Sequence, residues 1–195
     1  MLIANDFTVA QPLDKVWDFF GNIPQVALCL PGAELTEDLG DGAYQGKVGI
    51  SMGPVKMQFD GAAKILERND ATKKMVIDGA GADEKGRGQA KLLLTAQLTP
   101  APGQGTKVSM TQDIQLSGAA AQYGRGMIAD VSAVLMAQFA TNMQDRIKAI
   151  ESGVSLDSLG AAKSASGFAI GLQALRMALM RVFRRFFAPY QPSAR

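Results

Sequence analysis

The sequence predicts an α+β fold: a long, curved antiparallel sheet with one long C-terminal helix lying across it. Three observations carry that reading. Between Glu34 and Leu116 apolar residues recur with a period of two, interrupted by turns rich in Gly, Pro, Asn and Asp. After Gly118 the period changes to 3.6 and holds for about thirty residues. A single strand and two short helical segments come before the sheet.

Leu2 to Val9 is apolar and β-leaning, and Gln11-Pro12 closes it. Pro12 suits the first turn of a helix carrying Val16, Trp17, Phe19 and Phe20, which Gly21-Asn22 stops. Ile23 to Leu30 reads as a second short helix, ended by Pro31-Gly32. Tyr44, Gly46, Val48, Ile50 and Met52 then alternate with polar or small residues. Gly53-Pro54 makes the turn into Val55, Met57, Phe59, Gly61, Ala63 and Ile65. Lys73 to Asp78, Gln89 to Thr99 and Thr106 to Leu116 complete the strands, with turns at Glu67–Thr72, Gly79–Gly88 and Pro100–Gly105. In the final helix Tyr123, Met127, Val131, Leu135, Phe139, Met143 and Ile147 line one stripe. A helix packed into the concave face of a sheet tends to leave a cavity, a common place for an apolar ligand.

Composition narrows the chemistry. A chain of 195 residues with 47% hydrophobic and 19% charged residues holds enough apolar material for a core, which excludes global disorder. Histidine is absent and Cys29 is the one cysteine. A disulfide framework, a Cys/His zinc site and proton relay through imidazole are therefore excluded. The N-terminus lacks a basic stretch followed by an apolar one, so we expect a cytoplasmic start. Asp60, Asp113 and Asp130 are single carboxylates expected on outward or rim positions, so catalysis is not expected. No phosphate loop or dinucleotide fingerprint occurs; Gly86-Arg87-Gly88 is too short for one.

Charge divides the chain. Residues 1–157 carry 14 basic and 18 acidic residues, whereas residues 158–195 carry six basic residues and no acid. We read three parts: a body over 1–150, a Ser/Gly/Ala-rich linker over 151–167, and an amphipathic helix and tail over 168–195. In that last segment Phe168, Leu172, Leu175, Leu179, Val182, Phe183 and Phe186 share one face of a helix, and Arg176, Arg181, Arg184 and Arg185 fall outside that apolar arc. Bulky apolar groups facing an arginine-only side fit a helix lying in the membrane interface on anionic lipid. Docking on protein is an alternative. Spanning the bilayer fits worse, because Arg176 interrupts the apolar run. The acidic body and the large apolar face argue against nucleic acid.

Several short motifs recur in a familiar order. Pro12 with Val16-Trp17, Leu30-Pro31-Gly32-Ala33-Glu34, Gly53-Pro54-Val55, Phe59-Asp60-Gly61, then Gly118, Tyr123-Gly124 and Gly126 resemble the carbon monoxide dehydrogenase G-subunit family. That family belongs to the SRPBCC (START/Bet v 1-like) helix-grip superfamily. The resemblance covers roughly residues 1–150. It implies a helix-grip fold with a hydrophobic pocket, and association with a molybdenum-containing CO dehydrogenase or related hydroxylase as a membrane-recruitment or quinone-handling accessory.

Alternation and the helical stripe point Met52, Met57, Met75, Met110, Met127 and Met143 inward. A methionine-rich wall adapts to a long, irregular apolar ligand. The expected pocket therefore comprises Phe20, Met52, Met57, Phe59, Met75, Met110, Tyr123, Met127, Leu135 and Phe139. Its expected cargo is a respiratory quinone, menaquinone or ubiquinone, with no covalently bound cofactor and no metal. The same residues could simply fill a core. Trp17 reads as a core anchor, and Cys29 as a small buried hydrophobe. The function expected is a non-enzymatic accessory at the cytoplasmic face of the membrane, its partners being the oxidoreductase, anionic lipid and an apolar small molecule. A ligand-free recruitment adaptor is one alternative. A cyclase or hydrolase on the same fold is another, with Tyr123 and Gln112 as its only candidate polar pair.

Overall fold

Period-two alternation with turn residues at the right intervals builds a seven-stranded, wholly antiparallel sheet in the spatial order Leu2–Val9, Gly105–Leu116, Gln89–Ala101, Lys74–Asp83, Val55–Asn69, Ala43–Met52, Ala33–Gly40. The computed structural model describes residues 1–52 and 55–153, with the side chains of Met52 and Val55 left out. The strands are β1 (Leu2–Val9), β2 (Ala33–Gly40), β3 (Ala43–Met52), β4 (Val55–Asn69), β5 (Lys74–Asp83), β6 (Gln89–Ala101) and β7 (Gly105–Leu116). Helices α1 (Leu13–Gly21) and α2 (Ile23–Cys29) join β1 to β2, and α3 (Arg125–Glu151) follows β7 after a short 3-10 turn. This is the expected α+β arrangement, a curved sheet gripping a long C-terminal helix. The expected linker, beyond its first three residues, and the whole amphipathic segment lie outside the described residues; Glu151 ends α3.

Two sequence boundaries move, each for a physical reason. The edge strand β2 is mostly exposed and carries Glu34, Glu37 and Asp38, so its alternation is faint; such charges keep an edge from pairing with other chains. Strand β5 continues through Gly79–Asp83, where the sequence suggests a turn. The β4 and β5 backbones approach closely there. A Cβ on Gly61 of β4 would stand 2.2 Å from the Ala80 carbonyl oxygen on β5.

The main core sits where α1 and α2 cap one end of the sheet. Val16, Trp17, Phe19, Phe20 and Cys29 pack with Met75, Ala96, Leu98, Val108 and Met110, and Phe139, Met143 and Ile147 of α3 close over them. Phe139 meets Phe7 and Phe20 edge-on, with ring centroids 6.0 and 6.2 Å away. Trp17 is the expected anchor: its indole N–H donates to Asp70 Oδ1 at 2.6 Å, and the Arg68 guanidinium stands 5.0 Å from its ring. Cys29 is wholly buried, and burial pushes its thiol up to about 12. A second, smaller cluster occupies the other end: Met57, Phe59, Ala120 and Val131, with Ile50, Leu116, Tyr123 and Leu135 against them.

Candidate functional site

The two clusters leave the middle of the concave face partly open. Helix α3 makes its main sheet contact with β1, at one edge. Some inward residues of the central strands, Ile65, Ile77, Leu92, Leu94 and Ile114, are half-buried, whereas Met57, Met75, Leu98 and Met110 on the same face are buried. Cross-strand pairing places a band of small residues among them: Gly46, Gly61, Gly81 and Ala90 form one row across β3 to β6. Small side chains on a concave face leave room above it.

A cleft of about 460 Å³ lies between the α2–β2 turn, β3, the start of β4, the β5–β6 turn and α3. Ile50, Met57, Val131 and Leu135 give it an apolar floor, within the size range that accepts a small organic ligand. The Pro31–Gly32 turn forms part of its wall. Gly32 has φ +79°, and a Cβ there would stand 2.4 Å from the Gly49 carbonyl oxygen, so only glycine fits.

The rim is charged and tied down. Asp83, with a fully buried side chain, accepts from Arg87 Nε and Nη2, both at 2.7 Å. It also accepts backbone N–H bonds from Gln58, Lys85 and Arg87. The Arg87 guanidinium, ahead of the backbone donors, holds the Asp83 carboxyl well below the usual carboxylate range. Arg87 Nη2 further donates to the Lys56 carbonyl at 2.9 Å, joining the β5–β6 turn to β4. Lys47 lies between Glu84 at 3.0 Å and Asp60 at 3.4 Å, and hydrogen bonds to those carboxylates raise its pKa.

The expected pocket residues divide among these places. Met57 and Leu135 line the cleft, and Phe59 and Tyr123 belong to the small cluster beside it. Phe20, Met75, Met110 and Phe139 do not line the cleft; they are packed into the main core. Met127 is 46% exposed, in the first turn of α3. Val131, Phe139, Met143 and Ile147 of the expected stripe are buried and Tyr123 and Leu135 half-buried, so Met127 alone departs from it, for a geometric reason. A strict four-residue repeat on a 3.6-residue helix turns by about 40° at each step, so its ends face different ways. The side chain of Met52 lies outside the described residues, as do all the expected anchor residues from Phe168 to Phe186.

Asp60 and Asp113 stand at the surface as expected, but Asp130 is 7% exposed and faces inward on α3. Sequence reading also misses Asp83. It follows Ile77, Gly79 and Gly81 at the inward parity of β5, and a carboxylate at an inward position is the available signal. Gln112 is buried, yet its partner is Ser132 rather than Tyr123. Among the described residues no three acidic or thiol groups gather to hold a metal ion, and no helix is long and apolar enough to cross a membrane.

A curved sheet gripping a long C-terminal helix over a partly open concave face defines the SRPBCC, or Bet v 1-like, helix-grip fold. Solved structures share it. A conserved protein from Geobacillus kaustophilus superposes with TM-score 0.68 at 19% identity, covering 76% of this chain and 95% of its own. The Zhui aromatase/cyclase from Streptomyces sp. R1128 gives 0.56 at 13% identity, covering 80% of this chain and 99% of its own. A protein from Thermus thermophilus gives 0.55 at 13%, covering 77% and 99%. At such identities the likeness defines the fold alone. No curated protein matches the sequence. The family model for the carbon monoxide dehydrogenase G-subunit (CoxG) matches residues 6–148, and the chain belongs to that family.

Proposed function

We propose that this protein is a non-enzymatic accessory that carries an apolar ligand, a respiratory quinone such as menaquinone or ubiquinone. In this reading it links a molybdenum-containing CO dehydrogenase, or a related hydroxylase, to the cytoplasmic face of the membrane. The observation that carries the reading is the cleft of about 460 Å³ beside α3, with an apolar floor and a charged rim. Such a site takes up a ring by burying apolar surface, worth roughly 25 cal/mol per Å². Family membership supports the oxidoreductase as partner. Ion pairing at the rim supports a carrier over a catalyst: Asp83 is held by Arg87, and Lys47 by Asp60 and Glu84. The arginine-faced segment over 168–195 supports membrane attachment through anionic lipid.

Native mass spectrometry with lipid extraction, on full-length protein purified gently from membranes, tests the carrier role. A stoichiometric quinone is the expected result. An empty protein that still captures its oxidoreductase would replace this reading with that of a recruitment adaptor.

A further inference from the structure

Two ammonium groups at the cleft have no counter-ion. Lys56, at the start of β4, and Lys85, in the β5–β6 turn, both line the cleft and are both exposed. Neither side chain has an ion-pair or hydrogen-bond partner among the described residues. The other charges around the cleft are paired with one another. Arg87 is held by Asp83, and Lys47 by Glu84 and Asp60. Glu34, the remaining acid of the lining, stands directly across the β2–β3 ladder from Lys47 and belongs with that group. The cleft therefore has an acidic side, with three carboxylates about Lys47, and a basic side. On the basic side Lys56 and Lys85 stand beside the internally neutral Asp83–Arg87 pair.

One hydrogen-bond network fixes both lysine backbones. Asp83 Oδ2 accepts from the Lys85 N–H at 3.1 Å, and Arg87 Nη2 donates to the Lys56 carbonyl at 2.9 Å. The Glu84 N–H donates to the Gln58 carbonyl at 2.9 Å, and the Gln58 N–H to Asp83 Oδ1 at 3.3 Å. The start of β4 and the β5–β6 turn are thus laced together around a carboxylate with no exposed surface. Two like charges carried on backbones tied in this way favour an anion at that side of the cleft. The same cleft offers the apolar floor of Ile50, Met57, Val131 and Leu135. A neutral ring uses the floor and leaves the cations idle. An apolar chain with an anionic head uses both.

We propose that the cleft takes a second class of cargo, a single-chain amphiphile whose anionic head, a carboxylate or a phosphate, is held by Lys56 and Lys85. Its chain covers the apolar floor. The inference rests on the carrier reading of the cleft and extends it beyond a neutral ring. Chain and ring use one floor, so the two classes of cargo exclude each other. Lysine suits either head, because its ammonium is a point charge on a flexible stem rather than a fixed fork.

Four probes test this on the full chain: decanoate and decyl phosphate, 1-decanol as their uncharged counterpart, and menadione, a neutral naphthoquinone. Dissociation constants are measured by calorimetry for the wild type, Lys56→Gln/Lys85→Gln and Leu135→Trp, with thermal unfolding of each free protein as a check on folding. We expect the double substitution to weaken both anions about tenfold and to leave 1-decanol and menadione within about twofold. Raising salt to about 0.5 M should remove most of the wild type's preference for anion over alcohol. Menadione should displace decanoate, and Leu135→Trp should weaken both. A loss confined to one anion upholds the site and names its head group. Unchanged anion binding in the double variant, or an equal loss for 1-decanol, makes the lysines ordinary surface groups. The proposal then falls, while the carrier reading stands on menadione. Decanoate binding that survives Leu135→Trp places the anion elsewhere on the chain and also overturns the proposal. If the wild type binds neither menadione nor any chain, the carrier reading fails and this inference fails with it.

Discussion

Asp83 is an inward-facing carboxylate on a strand whose other inward positions are glycine or apolar, and its burial is tolerable because five donated hydrogen bonds surround it. Its carboxyl is depressed below the ordinary value of about 4, so the sign of its pH effect is set. The stabilisation is fully present above the unfolded pKa and is lost as pH falls through the folded one. We therefore expect the stability gap between wild type and Asp83→Asn, read from urea melts, to be constant from neutral pH to about pH 4 and to narrow below it. A gap that widened on acidification would contradict this account. Gly32 gives a second test at this scale. Its left-handed backbone and the 2.4 Å approach to Gly49 both oppose a side chain, so Gly32→Ala should cost at least the roughly 1–2 kcal/mol of the backbone conformation alone. Denaturant midpoints would measure it.

Among the elements, α3 divides its labour along its length. Leu135 faces the cleft, whereas Phe139, one turn later, is buried against Phe7 and Phe20. Enlarging the first and truncating the second should therefore separate binding from stability. Leu135→Trp should fill the cleft and reduce menadione binding with little change in melting temperature. Phe139→Ala should cost about 3–5 kcal/mol of stability by leaving a cavity in the core. Equal effects of the two on binding and stability would mean that cleft and core are one unit. This division also marks how far sequence reading reaches. Period and turn chemistry place β1, α1, α2, β3, the later strands and α3 within a few residues, because each has a continuous apolar face and a distinct breaker. Strand β2 and the second half of β5 are harder, since charges at an edge and glycines at a close approach both weaken alternation. The site is less legible than the fold. Inward parity says that Met57 and Met75 face the same way, but not that one reaches the cleft and the other is sealed under α1 and α2. That depends on where α3 crosses the sheet, which no local pattern encodes. Asp83, a polar residue at inward parity, is the better guide.

Over the whole molecule the distribution of charge sets how the body meets a membrane. Residues 1–157 are net acidic and residues 158–195 are purely basic among their charged groups, so an anionic bilayer repels the first part and attracts the second. Each arginine near such a surface contributes up to about 1 kcal/mol, and the apolar face adds a term that salt does not screen. Deleting residues 168–195 should therefore abolish cosedimentation with vesicles of mixed phosphatidylglycerol and phosphatidylcholine. Raising salt from about 0.05 to 0.5 M should weaken binding of the full chain without eliminating it, because the Debye length shrinks below the reach of a surface charge while the apolar contact persists. Neutral phosphatidylcholine vesicles should bind the full chain less than mixed ones at low salt and nearly as well at high salt. If the truncated body bound as tightly as the full chain, the attachment would lie in the body itself. Binding indifferent to both lipid charge and salt would leave the arginine face without a role at the membrane and favour its docking on a protein partner.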